Sequence, residues 1–231
     1  SYQANKLLIE LVTSSEQLEK FNVKSFVTKI LAIHENRIEG IIHTINDNIS
    51  DRIDYKKAKS KVVFGQNIIN EKIFNLNFEI YMSSFFQTNP LCAEKLYAKV
   101  IEYSTIEMNS KKPVILDLFC GTGTIAQMIA QKKNNVKVIG VDIVSSAIEN
   151  AKKSAKKNQI NNVEFYTLDI GDFLFEHPDL KDKIHTVIVD PPRPGVSKKS
   201  LKKIINLNCD HIIYVSCNPS TQARDIKILM E

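Results

Sequence analysis

The stretch Val114-Ile-Leu-Asp-Leu-Phe-Cys-Gly-Thr-Gly-Thr124 decides the fold. Val114 to Phe119 is an apolar run interrupted only by Asp117, as expected of a strand buried on both faces. Gly121 and Gly123 then let the backbone turn tightly and approach a ligand. Ile125, Met128 and Ile129 resume at helical spacing, so strand, glycine turn and helix follow one another.

Outward from this unit the same alternation continues. Val138 to Val141, Val163 to Tyr166, Thr186 to Val189 and Ile212 to Val215 are further strand candidates. Between them lie Ala147, Ile148, Ala151 and Ala155, with Ser146 and Glu149 as a capping box, and then Leu201, Ile204 and Ile205. The pattern implies a doubly wound α/β fold. Upstream, Thr88 and Asn89 are helix caps, Pro90 suits a first helical turn, and Cys92, Leu96, Val100 and Tyr103 recur as an apolar helix face. Before that, β-rich runs at Lys6 to Val12, Phe26 to Ile33 and Val62 to Phe64 are separated by polar stretches such as Asn46-Asp47-Asn48. A small strand-rich module over residues 1–80, with a possible contact to nucleic acid, is therefore expected to precede the α/β domain of residues 81–231.

Composition sets bounds on this reading. The chain of 231 residues is 43% hydrophobic, enough for one substantial core and a small second module. A formal charge of +5 suits a nucleic-acid partner but is also common on solvated surfaces. Cys92, Cys120, Cys209 and Cys217 form no C-x-x-C pair, which argues against a zinc site or a disulfide framework and favours a reducing, cytoplasmic setting. No stretch approaches the roughly 20 apolar residues of a membrane span. A soluble monomer without metal is expected. The chain lacks an initiator methionine and stops just after an amphipathic run, so it reads as a piece of a longer protein.

In a doubly wound sheet, ligands sit beyond the carboxyl ends of the strands. Asp142 closes the second strand of the domain, where a carboxylate can accept both ribose hydroxyls of an adenosine. That serves S-adenosylmethionine and NAD equally, and Gly121-x-Gly123-x-x-Ala126 also satisfies the dinucleotide fingerprint. The fourth strand ends in Asp190-Pro-Pro-Arg-Pro-Gly195, whose prolines fix the backbone and aim Asp190 into the crevice. Arg193 stands where enzymes that methylate exocyclic amines carry an aromatic. The fifth ends in Tyr214-Val-Ser-Cys-Asn-Pro-Ser-Thr221, which puts a thiol at the same edge, just before a helix opening near Pro219. A helix N-terminus beside a thiol favours its reactive thiolate form, whereas an isolated cysteine is usually inert. Of the others, Cys92 falls on the apolar face of its helix, Cys120 sits inside the glycine turn and Cys209 precedes its strand.

Taken in order, Ser84-Phe-Phe-Gln87, Asp117-Leu-Phe-Cys-Gly-x-Gly-Thr124, Asp190-Pro-Pro-Arg-x-Gly195 and Tyr214-Val-Ser-Cys-Asn-Pro-x-Thr-x-Ala-Arg-Asp225 closely resemble the uracil-5 RNA methyltransferases that act on tRNA and rRNA. The resemblance covers about Phe78 to Ile228 and extends loosely to the first module. It implies a Rossmann-like S-adenosylmethionine-dependent methyltransferase domain and transfer of a methyl group to C5 of a uridine in structured RNA. Cys217 matches the nucleophile of the family. Gln87, Phe119, Thr124, Asp142 and Asp190 match its S-adenosylmethionine contacts, the turn glycines Gly121 and Gly123 belong to the same loop, and Asp169 matches a further contact. Asp190 would also position the base edge. The family often has Glu in place of Asp142, and its general base is a glutamate well past the cysteine motif; Glu231 stands too close to Cys217 to match, so the base is expected beyond residue 231. An RNA-binding barrel and the iron-sulfur cysteines of some members have no counterpart here.

Arg193 is a candidate phosphate or ring contact, and Lys198 and Lys199, which follow the Asp190 loop, are candidates for RNA backbone. Lysines also cluster at Lys56, Lys57, Lys59 and Lys61 and at Lys152, Lys153, Lys156 and Lys157; the group on Lys152 and the one beginning at Lys198 have the helical spacing of solvated faces. Two other readings stay open: a nicotinamide-dependent oxidoreductase, resting on the glycine turn alone, and an RNA-binding or remodelling module that has lost methyl transfer.

Overall fold

The computed structural model describes residues 1–2, 4–16, 18–48, 53, 55, 57–82, 84–104 and 113–230; Lys56 and Glu231 lie outside them. It divides into two compact units, Ser1–Thr88 and Asn89–Glu231.

In the first unit, β1 (Leu7–Thr13), α1 (Val23–His34), β2 (Ile38–Ile45) and β3 (Lys59–Gly65) precede a hairpin of β4 (Ile68–Ile73) and β5 (Leu76–Tyr81). β1 pairs parallel to β2, and β3 pairs antiparallel to β2. The run Phe26 to Ile33, expected as a strand, is helical. Its composition is β-branched, but Val23, Phe26, Val27, Ile30 and Leu31 repeat at three and four residues, and the half-buried face of α1 follows that repeat. A helix also serves the topology, because two parallel strands need a crossover between them. The segment after β5 stays with this unit: the Ser84 amide donates to the Tyr81 carbonyl at 2.9 Å, and the Phe86 ring packs on Phe78 with centroids 6.0 Å apart.

The second unit opens with α2 (Pro90–Tyr103), capped by the Asn89 side chain, which accepts the Cys92 amide at 3.0 Å. Its packed face is Ala93, Tyr97 and Val100 rather than the expected Cys92, Leu96 and Tyr103, all three of which are exposed. Then follow β6 (Val114–Leu118), α3 (Thr124–Lys132), β7 (Lys137–Asp142), α4 (Ser145–Lys157), β8 (Val163–Thr167), α5 (Ile170–Glu176), β9 (Ile184–Val189), α6 (Lys198–Ile205), β10 (His211–Tyr214) and α7 (Pro219–Leu229). The five strands form one parallel sheet in the order β10-β9-β6-β7-β8. Every residue of β6 and β9 is buried, the consequence of burial on both faces. Leu116, Leu118, Val141, Phe173, Val187, Val189 and Leu201 form the heart of the core. The expected capping box does not form: Ser146 lies inside α4, and Val144, which caps it, makes no side-chain bond to the helix end.

Chain order reverses between β6 and β9, because the strands after β6 run to one side while β9 returns to the other. That switch point opens a crevice at the carboxyl ends of these two strands.

Candidate active site

Register places Val141, Leu118, Val189 and Tyr214 in one row across β7, β6, β9 and β10. The next residues, Asp142, Phe119, Asp190 and Val215, form the rim of the sheet. At the usual strand spacing, the backbones of Asp142 and Asp190 stand about 10 Å apart. The Asp190 amide donates to the Leu118 carbonyl at 3.4 Å, so the carboxyl end of β9 remains laced to that of β6.

The turn after β6 is made by three residues in the left-handed region, Phe119 (φ 63), Gly121 (φ 54) and Gly123 (φ 72). Glycine adopts this conformation freely; an aromatic does so at a cost of about 1–2 kcal/mol. The two glycines serve different ends. A Cβ on Gly123 would come within 2.5 Å of the Phe165 ring, whereas one on Gly121 would meet nothing within 4 Å. Gly123 is needed by the packing beneath the turn; Gly121 faces open space. The Asp142 carboxylate straps the turn from β7, accepting the Gly121 amide and the Val144 amide at 2.9 Å each. Both oxygens keep a lone pair for a further donor. Thr124 opens α3 and is buried, its hydroxyl 3.3 Å from that of Thr122. Asp169 caps α5, accepting the Gly171 amide at 2.7 Å.

Below the turn, Asp117 is fully buried. One carboxylate oxygen accepts the Ala126 amide at 3.1 Å, and the other has no hydrogen-bond partner among the described residues. Burial, then the charges of Asp190 and Asp142, push this carboxyl well above the ordinary range against the pull of the Ala126 N–H. Burial also raises Asp190. The phenol of Tyr97, buried on α2, is pushed up by burial and then by the charges of Asp190 and Asp117. The charges acting on Asp117 are all negative, so a cationic ligand group here would relieve rather than add to the electrostatic cost. Tyr97 and the orphaned oxygen of Asp117 escaped the reading of the sequence, because burial depth and partner count are not written in a motif.

After β9, Pro191 is buried while Pro192, Arg193 and Pro194 are exposed. The Asn218 side chain and the Thr221 hydroxyl both donate to the Arg193 carbonyl at 3.2 Å. The Arg224 guanidinium donates to the Pro194 carbonyl at 2.8 Å, and the Val196 amide donates to the Asp225 carboxylate at 2.7 Å. The first two turns of α7 therefore grip the proline loop along its length. Cys217 lies one residue before the Asn218 cap of α7 and is exposed. Its neighbour Ser216 is fixed by reciprocal 2.9 Å bonds with the Asn218 backbone.

The second unit thus brings Phe119, Gly121, Gly123, Thr124, Asp142, Asp190, Arg193 and Cys217 to one rim, and Lys198 and Lys199 follow the proline loop as exposed residues at the start of α6. Gln87 belongs to the first unit, where it is half-buried. Cys120 is the half-buried thiol of the turn, pushed well up by desolvation and then by the charges of Asp117 and Asp142, and so suits no nucleophilic role. Among the described residues no group of His, Cys, Asp or Glu has the makings of a metal site, and no helix is long and apolar enough to cross a membrane.

A doubly wound sheet with a glycine turn and an acidic residue on its neighbouring strand is a frame that binds an adenosine-containing cofactor beyond the strand ends. Comparison with known proteins gives the family: a methyltransferase-domain family model matches residues 109–231, more than half of the chain, and the chain belongs to that family. The architecture is the α/β fold of S-adenosylmethionine-dependent methyltransferases. The chain is 40% identical over 227 residues to an uncharacterized RNA methyltransferase of Clostridium tetani, covering 98% of this chain and 47% of that protein. A second relative, an uncharacterized RNA methyltransferase of Clostridium acetobutylicum, is 40% identical over 225 residues, covering 97% of this chain and 47% of that protein. Among solved structures, the tRNA (uracil-54, C5)-methyltransferase of Pyrococcus abyssi in complex with S-adenosyl-L-homocysteine superposes with a TM-score of 0.69 at 29% identity, over 97% of this chain and 50% of that one. The chain spans about half the length of the curated relatives it matches.

Proposed function

We propose that the protein transfers a methyl group from S-adenosylmethionine to C5 of a uridine in structured RNA, through a covalent bond between Cys217 and C6 of the base. The observation that carries this reading is the exposed Cys217 beside a loop that begins at Asp190 and is bonded to the same helix cap. The similarity to the Pyrococcus abyssi enzyme supports the choice of C5 and uracil. The glycine turn fits the cofactor: Gly121 leaves room for a close approach, and the Asp142 carboxylate that straps the turn keeps lone pairs for further donors.

S-adenosylmethionine, when bound, supplies an electrophilic methyl on its sulfonium. Phe119, Gly121, Gly123, Thr124, Asp142 and Asp169 of the second unit would hold it, with the Asp142 carboxylate taking the ribose hydroxyls. C5 of uracil is a poor nucleophile. The Cys217 thiolate would add to C6, and the electron pair of the 5,6 double bond would move into an enolate whose C5 takes the methyl group as the methyl–sulfonium bond breaks, leaving neutral S-adenosylhomocysteine. Asp190 orients the base edge while this occurs. A base then removes the C5 proton, the 5,6 double bond re-forms and the thiolate leaves C6. A uridine in a stem must first swing out of its stack, which favours loop targets. Arg193, Lys198 and Lys199 hold the flanking phosphates.

The full-length protein, incubated with methyl-labelled S-adenosylmethionine and unmodified tRNA and rRNA transcripts, should yield label only in 5-methyluridine on nucleoside digestion. Label on a nitrogen or a ribose oxygen would sink the C5 assignment. Cofactor binding with no label in any RNA would favour an RNA-binding module that has lost transfer.

A further inference from the structure

We propose that Asp225 is a positioning residue, which locks the Asp190 loop to the segment carrying Cys217 so that carboxylate and thiol meet the uridine as one unit. The inference rests on the methyl-transfer reading above.

Asp225 is the one fully buried residue among the described residues of α7. An apolar side chain would fill that position at less cost, because a buried carboxylate must recover its lost hydration. Asp225 does so through partners drawn from three segments. One oxygen accepts the Val196 amide of the proline loop and the Tyr214 hydroxyl at the end of β10, both at 2.7 Å. The other accepts Nε and Nη2 of Arg224, at 2.8 and 2.7 Å. Nη2 of Arg224 continues to the Pro194 carbonyl, so loop residues on both sides of Gly195 end on this pair. Burial works to raise the Asp225 carboxyl, but the bonds from Tyr214, Val196 and Arg224 outweigh it and hold it below the ordinary value, as an ionised hub.

Gly195 supplies an independent observation. Its φ is 80, and a Cβ there would come within 2.5 Å of the Asp225 carboxylate and 2.6 Å of the Arg224 guanidinium. The loop carries a glycine where the ion pair presses against its backbone. Cys217 and Asp190 lie on segments leaving adjacent strands, and this hub ties the two segments together beyond the sheet.

The test uses the full-length protein, S-adenosylmethionine and 5-fluorouridine-substituted RNA, following the rate of the covalent protein–RNA adduct and, separately, S-adenosylhomocysteine affinity. Asp225→Asn must present an amide NH2 either to the Arg224 guanidinium or to the Val196 amide, so one side of the hub is lost and the other weakened by loss of charge. It should slow adduct formation at least tenfold while cofactor affinity stays within twofold, and amide exchange at Val196 should quicken. Tyr214→Phe removes one donor and should slow the adduct two- to fivefold. An adduct rate within twofold of wild type in a folded Asp225→Asn protein overturns the proposal, as does a parallel fall in cofactor affinity, which would mark a general loss of structure. Should Asp225→Asn fail to fold, an unchanged rate in Tyr214→Phe overturns it. Absence of adduct in the wild type contradicts the covalent reading itself.

Discussion

The glycine turn after β6 and the proline loop after β9 leave neighbouring strands and reach the same edge of the sheet, yet they are held in place by different means. The turn is held mainly by its own backbone and by one residue of the next strand. Phe119, Gly121 and Gly123 adopt left-handed conformations, and a single carboxylate, Asp142, straps the result. The proline loop is held from outside. Asn218, Thr221, Arg224 and Asp225 of a distant segment bond to Arg193, Pro194 and Val196. The first arrangement suits a fixed cradle for a small cofactor. The second couples two chemically active segments, so a change in one is felt by the other.

The two glycines of the turn offer the largest effects on stability. Gly123→Ala meets both the left-handed backbone and the Phe165 ring and should destabilise the fold by about 2–4 kcal/mol, read by urea denaturation. Gly121→Ala pays only the conformational cost, about 1 kcal/mol, but its methyl enters the open side and should weaken S-adenosylhomocysteine binding. Equal stability losses in the two variants would break the distinction between packing glycine and ligand-facing glycine.

Removing the strap comes next. Asp142→Ala frees the Gly121 and Val144 amides and should cost about 2 kcal/mol of cofactor binding, roughly thirtyfold in affinity by titration calorimetry, while leaving the proline loop intact.

The floor of the crevice predicts a pH dependence. In the unfolded chain Asp117 titrates near 3.8, and in the fold burial raises it well above that. Between the two values the unfolded chain has released a proton that the fold retains, so stability falls as pH rises through this window and levels off above it. Asp117→Asn removes this penalty. The variant should therefore melt higher than wild type at pH 7, with the gain shrinking as pH falls and vanishing below 3.8, where Asp117 is protonated in both the folded and the unfolded chain. A variant that melts lower at pH 7 would mean that Asp117 is ionised and paired. The smallest effect belongs to the exposed start of α6: Lys198→Glu with Lys199→Glu should lower RNA affinity severalfold and flatten its salt dependence, and unchanged binding would remove these lysines from the interface.

The glycine turn was legible because its information is local: an apolar run, two glycines and a change of period within the sixteen residues from Val114 to Ile129. Phe26 to Ile33 was misread for a related reason. Its β-branched composition spoke louder than the three-and-four spacing of Val23, Phe26, Val27, Ile30 and Leu31, which tertiary packing follows. The left-handed Phe119 could not be foreseen, since aromatic side chains disfavour that region and only the surrounding strands impose it. Asp225 was visible as a letter of the cysteine motif, but a carboxylate at the buried position of an amphipathic helix contradicts the apolar pattern by which such faces are recognised. Its partners, Val196 and Tyr214, are joined to it by the fold alone.

The central claim is that Cys217 attacks the base. Incubation with S-adenosylmethionine and 5-fluorouridine-substituted tRNA and rRNA, followed by denaturing electrophoresis, tests it directly, because fluorine at C5 blocks the final elimination and traps the bond. The account predicts an adduct that survives denaturation and disappears in Cys217→Ala while cofactor binding persists, with methyl transfer to ordinary RNA falling by at least about 10³-fold. An adduct of equal yield in Cys217→Ala, or efficient methylation without that thiol, would contradict it.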